Sequence, residues 1–274
     1  MSKEHLTYFK VENFKRFDSL ELTGIGQFNL VVGDNNAGKT SVLEAIASLA
    51  RINEKEEPFR KSFDDFAQIL IRRGINVQGN VDMFFNYLLK HENKPIIIET
   101  NISGHGSLKI KLSKSNNPNF INVQVKKESS PNMEFKVEPT NAKLPSALIP
   151  ANIEINGNLP DEYQKVLNYS RANKRLIIDN LKVIDQRIVD IEVLPIITQS
   201  HVMIGYENDD RYLPLTSMGE SAVRVFYYLL RIISNSGHRL LIDEIDTGIH
   251  YSRMKNFLKI LFQIAIKNEV QLFL

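Results

Sequence analysis

The sequence has no cysteine among its 274 residues. This absence excludes disulfide bonds, thiolate metal sites and a cysteine nucleophile, and a reducing cytoplasm is the expected location. Long apolar runs are missing as well. The two longest, "FLKILFQIAI" and "AVRVFYYLLRII", are interrupted by charges and are far shorter than the ~20 residues that a membrane-spanning helix needs. Since the N-terminus also lacks the apolar core of a signal peptide, we expect no membrane partner.

Charge of one sign is not in excess either. The chain carries 34 Lys and Arg against 32 Asp and Glu, a net charge of +2. That value is too small to indicate nucleic acid or an anionic membrane by itself. Apolar residues make up 43% and charged residues 24%, which is typical of a globular protein, and the length suits one large domain or two modest ones.

The most specific motif is a glycine-rich loop that fits the phosphate-binding pattern G-x-x-x-x-G-K-[ST]. It comprises Gly33, Asp34, Asn35, Asn36, Ala37, Gly38, Lys39 and Thr40. A strand-like run at 28–32 precedes it, and "KTSVLEAIASLA" follows with helical spacing. Backbone N–H groups of such a loop cradle phosphate, the Lys reaches the β- and γ-phosphates, and the Thr hydroxyl binds Mg²⁺. Ser41 completes the predicted nucleotide-binding set; the alternative is a surface turn that happens to contain Gly-Lys-Thr.

A second motif, "RLLIDEIDTGIH", places two carboxylates after a predicted buried strand. In P-loop ATPases an Asp at this point holds Mg²⁺ and a following Glu can act on the attacking water, so Asp243 and Glu244 are the predicted residues for these roles. An ordinary strand that ends in two solvated carboxylates is the alternative. About 200 residues separate Lys39 from Asp243. Such a long gap argues against small kinases and GTPases and favours an ABC-type ATPase head.

A third motif, "LTSMGESAVR", precedes the acidic pair at the distance expected of an ABC signature. Ser217, Gly219 and Glu220 match the S, the second G and the E of L-S-G-G-E, while Met218 replaces the first G. The positive end of the helix that follows would face an anion. In ABC-type heads this anion is the γ-phosphate held by the other subunit, so Ser217 and Gly219 would act in trans. Alternatively, Ser217 and Glu220 form a capping box of an ordinary helix. The two interpretations are compatible.

Taken together, "FKVENFKRF…FNLVVGDNNAGKTSVLEAI" and "LPLTSMGESAVRVFYYLLRII…LLIDEIDTGIHYSRM" resemble the AAA15/OLD-like ATPases, ABC-type heads related to the RecF and SMC proteins. The resemblance covers about the first 50 and the last 110 residues. It implies ATP and Mg²⁺ as cofactors and a homodimer or higher oligomer around the nucleotide. It also implies a role in DNA metabolism or anti-phage defence, together with an effector or nuclease partner.

The resemblance also implies further site residues. In "NFKRF", Lys15 would approach phosphate, whereas core packing is the favoured interpretation of Phe14 and Phe17. His250 occupies the family's D-loop region and receives little weight. Gln68, within a helical pattern, is a weak candidate for the Q-loop glutamine. The sequence reaches Leu274 within the apolar strand "VQLFL", before the switch histidine of the family, so we expect this form to bind ATP better than it hydrolyses ATP.

We predict an α/β fold: an ABC-type P-loop ATPase head with a mainly parallel core sheet, an antiparallel β meander and a helical insertion. A single head would cover residues 1–274, with a P-loop lobe (1–50), an inserted helix-plus-meander region (51–159) and a signature and Walker B lobe (160–274). The expected function is ATP hydrolysis coupled to dimerisation. A nucleotide-gated scaffold with incidental turnover is the alternative. DNA binding through the basic strands "KIKLSK" and "VQVKK" is a weaker hypothesis.

Overall fold

The computed structural model describes residues 5–34, 36–48, 81–117, 119–128, 132–137, 147–151, 155, 159–167, 171–182, 184–196 and 199–274. They form two compact units. The first unit comprises Met1–Ile149, Gly237–Asp243 and Gln271–Leu274, and the second comprises Pro150–Ser236 and Glu244–Val270. The strands are β1 (Leu6–Phe14), β2 (Phe17–Leu22), β3 (Phe28–Asn29), β4 (Ile96–Ile102), β5 (Gly106–Lys114), β6 (Ile121–Lys127), β7 (Met133–Val137), β8 (Leu148–Ile149), β9 (Ile188–Ile196), β10 (Gln199–Tyr206), β11 (Tyr212–Pro214), β12 (Arg239–Ile242) and β13 (Gln271–Phe273). The helices are α1 (Lys39–Ala47), α2 (Val81–Leu88), α3 (Leu159–Leu167), α4 (Arg171–Leu181), α5 (Glu220–Ser234) and α6 (Tyr251–Lys267).

A parallel sheet forms one part of the first unit, with the strand order β3-β13-β12-β8. Every residue of β12 and β13 is buried, which confirms the two predicted buried strands and agrees with the near-continuous apolar runs typical of parallel sheets. The Gln271 side chain is buried too. Its amide nitrogen donates to the carbonyl oxygens of Leu6 at 2.8 Å and Gly26 at 2.7 Å, so the polar group is fully used inside the core.

The strand predicted at 28–32 is shorter than expected, since only Phe28–Asn29 is a strand. Val31 N still donates to the Leu274 carbonyl at 2.7 Å. Leu30 and Val32, however, are 69% and 76% exposed. Beyond Asn29, therefore, only the Val31 side chain is partly buried against the core, and the apolar side chains on either side of it are exposed.

The predicted antiparallel meander is confirmed. Among the described residues it is part of a six-stranded sheet in the order β2-β1-β4-β5-β6-β7, paired antiparallel throughout. Alternate side chains of β5 and β6 are buried, as expected of a sheet with one covered face. These residues share one core cluster with the apolar side chains of α1 and α2. The predicted helix α2 is confirmed, while the helix predicted over 58–74, which includes Gln68, lies outside the described residues.

The second unit combines α3, α4, α5 and α6 with the antiparallel sheet β11-β10-β9. Helix α3 begins at Leu159, so Pro160 lies in its first turn. Proline is tolerated there because its missing N–H would have no intrahelical partner. Helix α5 is buried continuously from Ala222 to Ile233, which marks it as a central helix of this unit. No helix in the described part of the chain is both long and apolar enough to cross a membrane.

Candidate nucleotide site

The glycine-rich loop leads into α1 through Gly38, which has a φ of 101° and forms the N-cap. A Cβ at this position would lie 2.6 Å from Arg16 Cδ and 3.1 Å from Phe17 Cζ. Position 38 therefore requires glycine both for its left-handed backbone and for the close approach of the hairpin between β1 and β2. The loop closes with a hydrogen bond from Ala37 N to the Asp34 carbonyl at 3.1 Å. Asn35 lies outside the described residues.

Lys39 folds back over the loop. Its Nζ donates to the carbonyl oxygens of Gly33 at 2.7 Å and Asp34 at 3.0 Å. The ammonium group is thus held at the loop by two neutral acceptors. An anionic oxygen is a stronger acceptor for a charged donor than a carbonyl, so these hydrogen bonds can be exchanged for phosphate.

The two predicted magnesium ligands lie together, although 203 positions separate them in the sequence. Thr40 Oγ1 donates to Asp243 Oδ2 at 2.8 Å. Asp243 is only 8% exposed and is fixed at the end of β12, where its backbone N donates to the Ile149 carbonyl at 2.9 Å. Hydroxyl and carboxylate oxygens suit Mg²⁺, which takes one or two protein carboxylates together with water and substrate phosphates. The described residues contain no group of three His, Asp or Glu that could hold a metal ion by itself.

The neighbouring hairpin turn positions two cations differently. Lys15 forms an ion pair with Glu44 of α1, with side chains that are only 10% and 3% exposed. Its contribution here is to neutralise a buried carboxylate, so its phosphate contact stays a prediction. Arg16, which is not among the predicted site residues, donates from its guanidinium to the Asn36 carbonyl of the loop.

The aromatic neighbours of these cations divide in the same way. Phe14 is fully buried in the core, in agreement with the core-packing interpretation. Phe17 is partly buried and has its ring edge against Gly38.

In the second unit, Glu244 begins the loop that follows β12. Its φ of 51° is unusual for a residue other than glycine. Thr247 N donates to the Glu244 carbonyl at 3.0 Å, and Thr247 Oγ1 donates weakly to Glu244 Oε2 at 3.4 Å. Because the carboxylate is exposed, it is accessible to water, as a general base must be.

The segment predicted to be the ABC signature does not form the predicted capping box. Residues Leu215–Met218 form a 3₁₀ turn, and α5 is capped by Gly219 without a side-chain hydrogen bond. The Ser217 hydroxyl instead donates to the Pro214 carbonyl at 2.7 Å, and Glu220 pairs with Arg224 at 2.9 Å. The capping-box interpretation is therefore wrong. Ser217 and Gly219 are both exposed, so the turn presents its polar groups to solvent.

His250 has a structural task. It is the N-cap of α6, where its Nδ1 accepts from Ser252 N at 3.3 Å, and its ring packs on Tyr251 with centroids 4.4 Å apart. In this structure His250 therefore acts as a helix cap.

Comparison with known proteins supports the same fold. A protein of Helicobacter pylori named ATP/GTP phosphatase is 22% identical in an alignment 295 positions long, gaps included, that covers 91% of this chain and 78% of that protein. The DNA replication and repair protein RecF of Leptospira interrogans is 24% identical and covers 91% of this chain and 70% of its own.

Two solved structures agree. The recombination mediator RecF with ATP has a TM-score of 0.52 and 14% identity over 100% of this chain and 92% of its own. An SMC head bound to the C-terminal winged-helix domain of ScpA has a TM-score of 0.54 and 8% identity, over 98% of this chain and 89% of its own. The predicted fold, an ABC-type ATPase head of the RecF and SMC kind, is therefore confirmed. A family profile described as "AAA domain, putative AbiEii toxin, Type IV TA system" matches residues 134–274, slightly more than half of the sequence, and the chain belongs to this AAA-domain family.

Proposed function

We propose that the protein binds ATP with Mg²⁺ at the glycine-rich loop and hydrolyses it, with residues 1–274 working as a single ATPase head. The observation that carries the proposal is the 2.8 Å hydrogen bond between Thr40 and Asp243, next to a lysine held in the loop by two carbonyls. A hydroxyl and a carboxylate from distant segments meet where the loop places its cation. The name of the Helicobacter pylori relative, ATP/GTP phosphatase, supports nucleotide hydrolysis, and it makes GTP the competitor to test.

Each residue has a defined part in this proposal. Lys39 exchanges its two carbonyl acceptors for phosphate oxygens, and Arg16, at the mouth of the loop, adds a second cation. Thr40 and Asp243 hold Mg²⁺, which neutralises phosphate charge when it is bound. Glu244, exposed and directly after Asp243 in the chain, orients and deprotonates the attacking water.

Dimerisation is the second part of the proposal. Ser217 and Gly219 are exposed at the start of α5, a helix of 15 residues. The positive end of such a helix stabilises an anion. We infer that this turn contacts the γ-phosphate held by a second subunit, so that two chains enclose the nucleotides.

For the biological setting, we propose a role as the nucleotide-driven subunit of a DNA-metabolism or defence system that acts with an effector or nuclease. The RecF relatives are named for DNA replication and repair, and the family description includes a putative toxin of a toxin–antitoxin system. The AAA15/OLD-like resemblance of the sequence supports the same setting.

The deciding experiment measures phosphate release and molar mass in parallel, with Mg·ATP, Mg·GTP and no nucleotide. We expect ATP turnover that disappears with a chelator, and an increase in mass by light scattering when ATP is present. Mass that doubles with ATP while phosphate release stays at background would favour the nucleotide-gated scaffold. If there is no turnover, no change in mass and no ATP binding by calorimetry, the proposal is refuted.

A further inference from the structure

The first turn of α5 contacts the loop that follows β12, within the second unit. We call residues 244–250 the post-β12 loop. Ser221 Oγ donates to the Gly248 carbonyl at 2.7 Å. Arg224, one turn further along the same helix, donates from Nε and from a terminal nitrogen to Glu220 Oε1 at 3.0 and 2.9 Å. Helix α5 is thus joined to the post-β12 loop by a direct hydrogen bond.

Gly248 allows an unusually close approach between these segments. Its φ is 76°, and a Cβ at this position would lie 2.6 Å from Arg224 Nε and 2.9 Å from Arg224 Cδ. Any larger residue would have to displace the arginine or the loop. The guanidinium therefore lies directly against the loop backbone at a point where only glycine fits.

Arg224 itself is held firmly. Its side chain is 10% exposed, and it pairs with Glu220 one turn earlier on α5. Burial alone would lower the pKa of Arg224, but the hydrogen bonds to Glu220 and Tyr228 raise it above its ordinary value. A buried, paired guanidinium of this kind is a rigid support, because its fork of donors fixes its orientation.

We propose that Ser221 and Arg224 are positioning residues which, with Gly248, fix the post-β12 loop to helix α5 and thereby hold Glu244 in its working orientation. We call this set of contacts the clasp. This inference rests on the proposed ATPase function. The chain of contacts is short: Thr247 precedes Gly248 and donates both its N–H and its hydroxyl to Glu244. A shift of Gly248 therefore reaches the proposed base, and the clasp makes Glu244 and the Ser217–Gly219 turn move together.

The test compares Arg224→Met and Ser221→Ala with Arg231→Met in the full-length chain. Arg231 is the matched control: it is a buried arginine on the same helix, paired with Glu162 at 3.7 Å. We expect kcat to fall on the order of 100-fold for Arg224→Met, because small misplacements of a reacting group have effects of this size. For Ser221→Ala we expect roughly 5-fold, the effect of one hydrogen bond. KM for ATP should change less than about 2-fold, since the residues of the glycine-rich loop are untouched.

A second readout does not require turnover. Hydrogen exchange without nucleotide should show faster exchange of the amides of Thr247 and Ile249 in Arg224→Met and Ser221→Ala, and wild-type exchange in Arg231→Met. Unchanged exchange, or unchanged kcat in Arg224→Met, overturns the clasp. Equal losses of kcat and of melting temperature in the Arg224 and Arg231 variants overturn it as well. If the wild-type protein hydrolyses no ATP, the proposed function fails, and the exchange data alone decide whether the clasp exists.

Discussion

The glycine-rich loop and the signature turn differ in how their polar groups are satisfied. At the loop, Lys39 contacts two carbonyls and Thr40 contacts Asp243. At the signature turn, Ser217 and Gly219 are exposed, and the Ser217 hydroxyl bonds only locally, to Pro214. The functional groups of the glycine-rich loop are thus held by contacts within the chain, whereas those of the signature turn face the solvent. Preorganised groups bind at little additional entropic cost, so we expect the loop to hold nucleotide in the monomer and the signature turn to act only in the dimer.

The strongest challenge to this contrast is Lys39→Ala. We expect ATP binding to fall below detection in calorimetry, and turnover with it, because the loop loses its cation for the phosphates. Lys111→Ala is the control, since Lys111 is an exposed lysine on β5 of the same unit. Equal ATP affinity in the wild type and in Lys39→Ala would show that the loop is not the binding site.

Glu244→Gln separates binding from chemistry. The amide has the same shape but cannot accept a proton, so kcat should fall on the order of 10²–10³-fold while ATP affinity is retained. The ATP-bound dimer should then accumulate, which light scattering can measure. A variant that hydrolyses ATP at the wild-type rate would remove Glu244 from the mechanism.

Ser217→Arg tests the outward-facing side alone. Its bulk and charge at the proposed contact should prevent the ATP-dependent increase in mass and reduce turnover roughly 10-fold or more. ATP binding by the monomer should stay within about 2-fold of the wild type, because Lys39, Thr40 and Asp243 are unchanged. Loss of monomer binding would contradict the division between the two sides.

Arg16→Ala should have the smallest effect. The guanidinium contacts the loop at the Asn36 carbonyl, and one charged hydrogen bond at an exposed position corresponds to about a 10-fold change in affinity. Arg16→Lys should retain part of the ATP affinity that Arg16→Ala loses. Calorimetry at two ionic strengths can check the assignment, since the contribution of an exposed charge decreases with salt. An Arg16→Ala affinity equal to that of the wild type would reduce Arg16 to a packing residue for Gly38.

Much of the site around the glycine-rich loop could be predicted because its residues belong to motifs with a fixed geometry. The strand–loop–helix order around Lys39 and the strand before Asp243 imply that Thr40 and Asp243 meet, and they do at 2.8 Å. The adjacent cations Lys15 and Arg16 could not be told apart in the same way. Their directions depend on the turn between β1 and β2, where Lys15 adopts a φ of 50°, and the sequence does not state which of the two faces the loop.

The signature segment shows a different limit. Ser217 and Glu220 have the spacing of a capping box, yet Gly219 caps α5 and Glu220 pairs with Arg224. Local spacing describes the preference of an isolated helix. It does not include the competing partners that the fold supplies: the Ser217 hydroxyl donates to the Pro214 carbonyl, and Glu220 pairs with Arg224, which packs against Gly248 of the post-β12 loop.

The order of the parallel sheet has a consequence for biosynthesis. Strand β12, which ends at Asp243, pairs on one side with β8 and on the other with β13, and β13 in turn pairs with β3. Among the described strands, the one before the glycine-rich loop (β3) is therefore connected to the one before Asp243 (β12) through β13. Pairings this distant in sequence form slowly and late. We expect a nascent chain still lacking β13 to have no assembled nucleotide site, so that ATP capture during synthesis would report that this parallel sheet has formed.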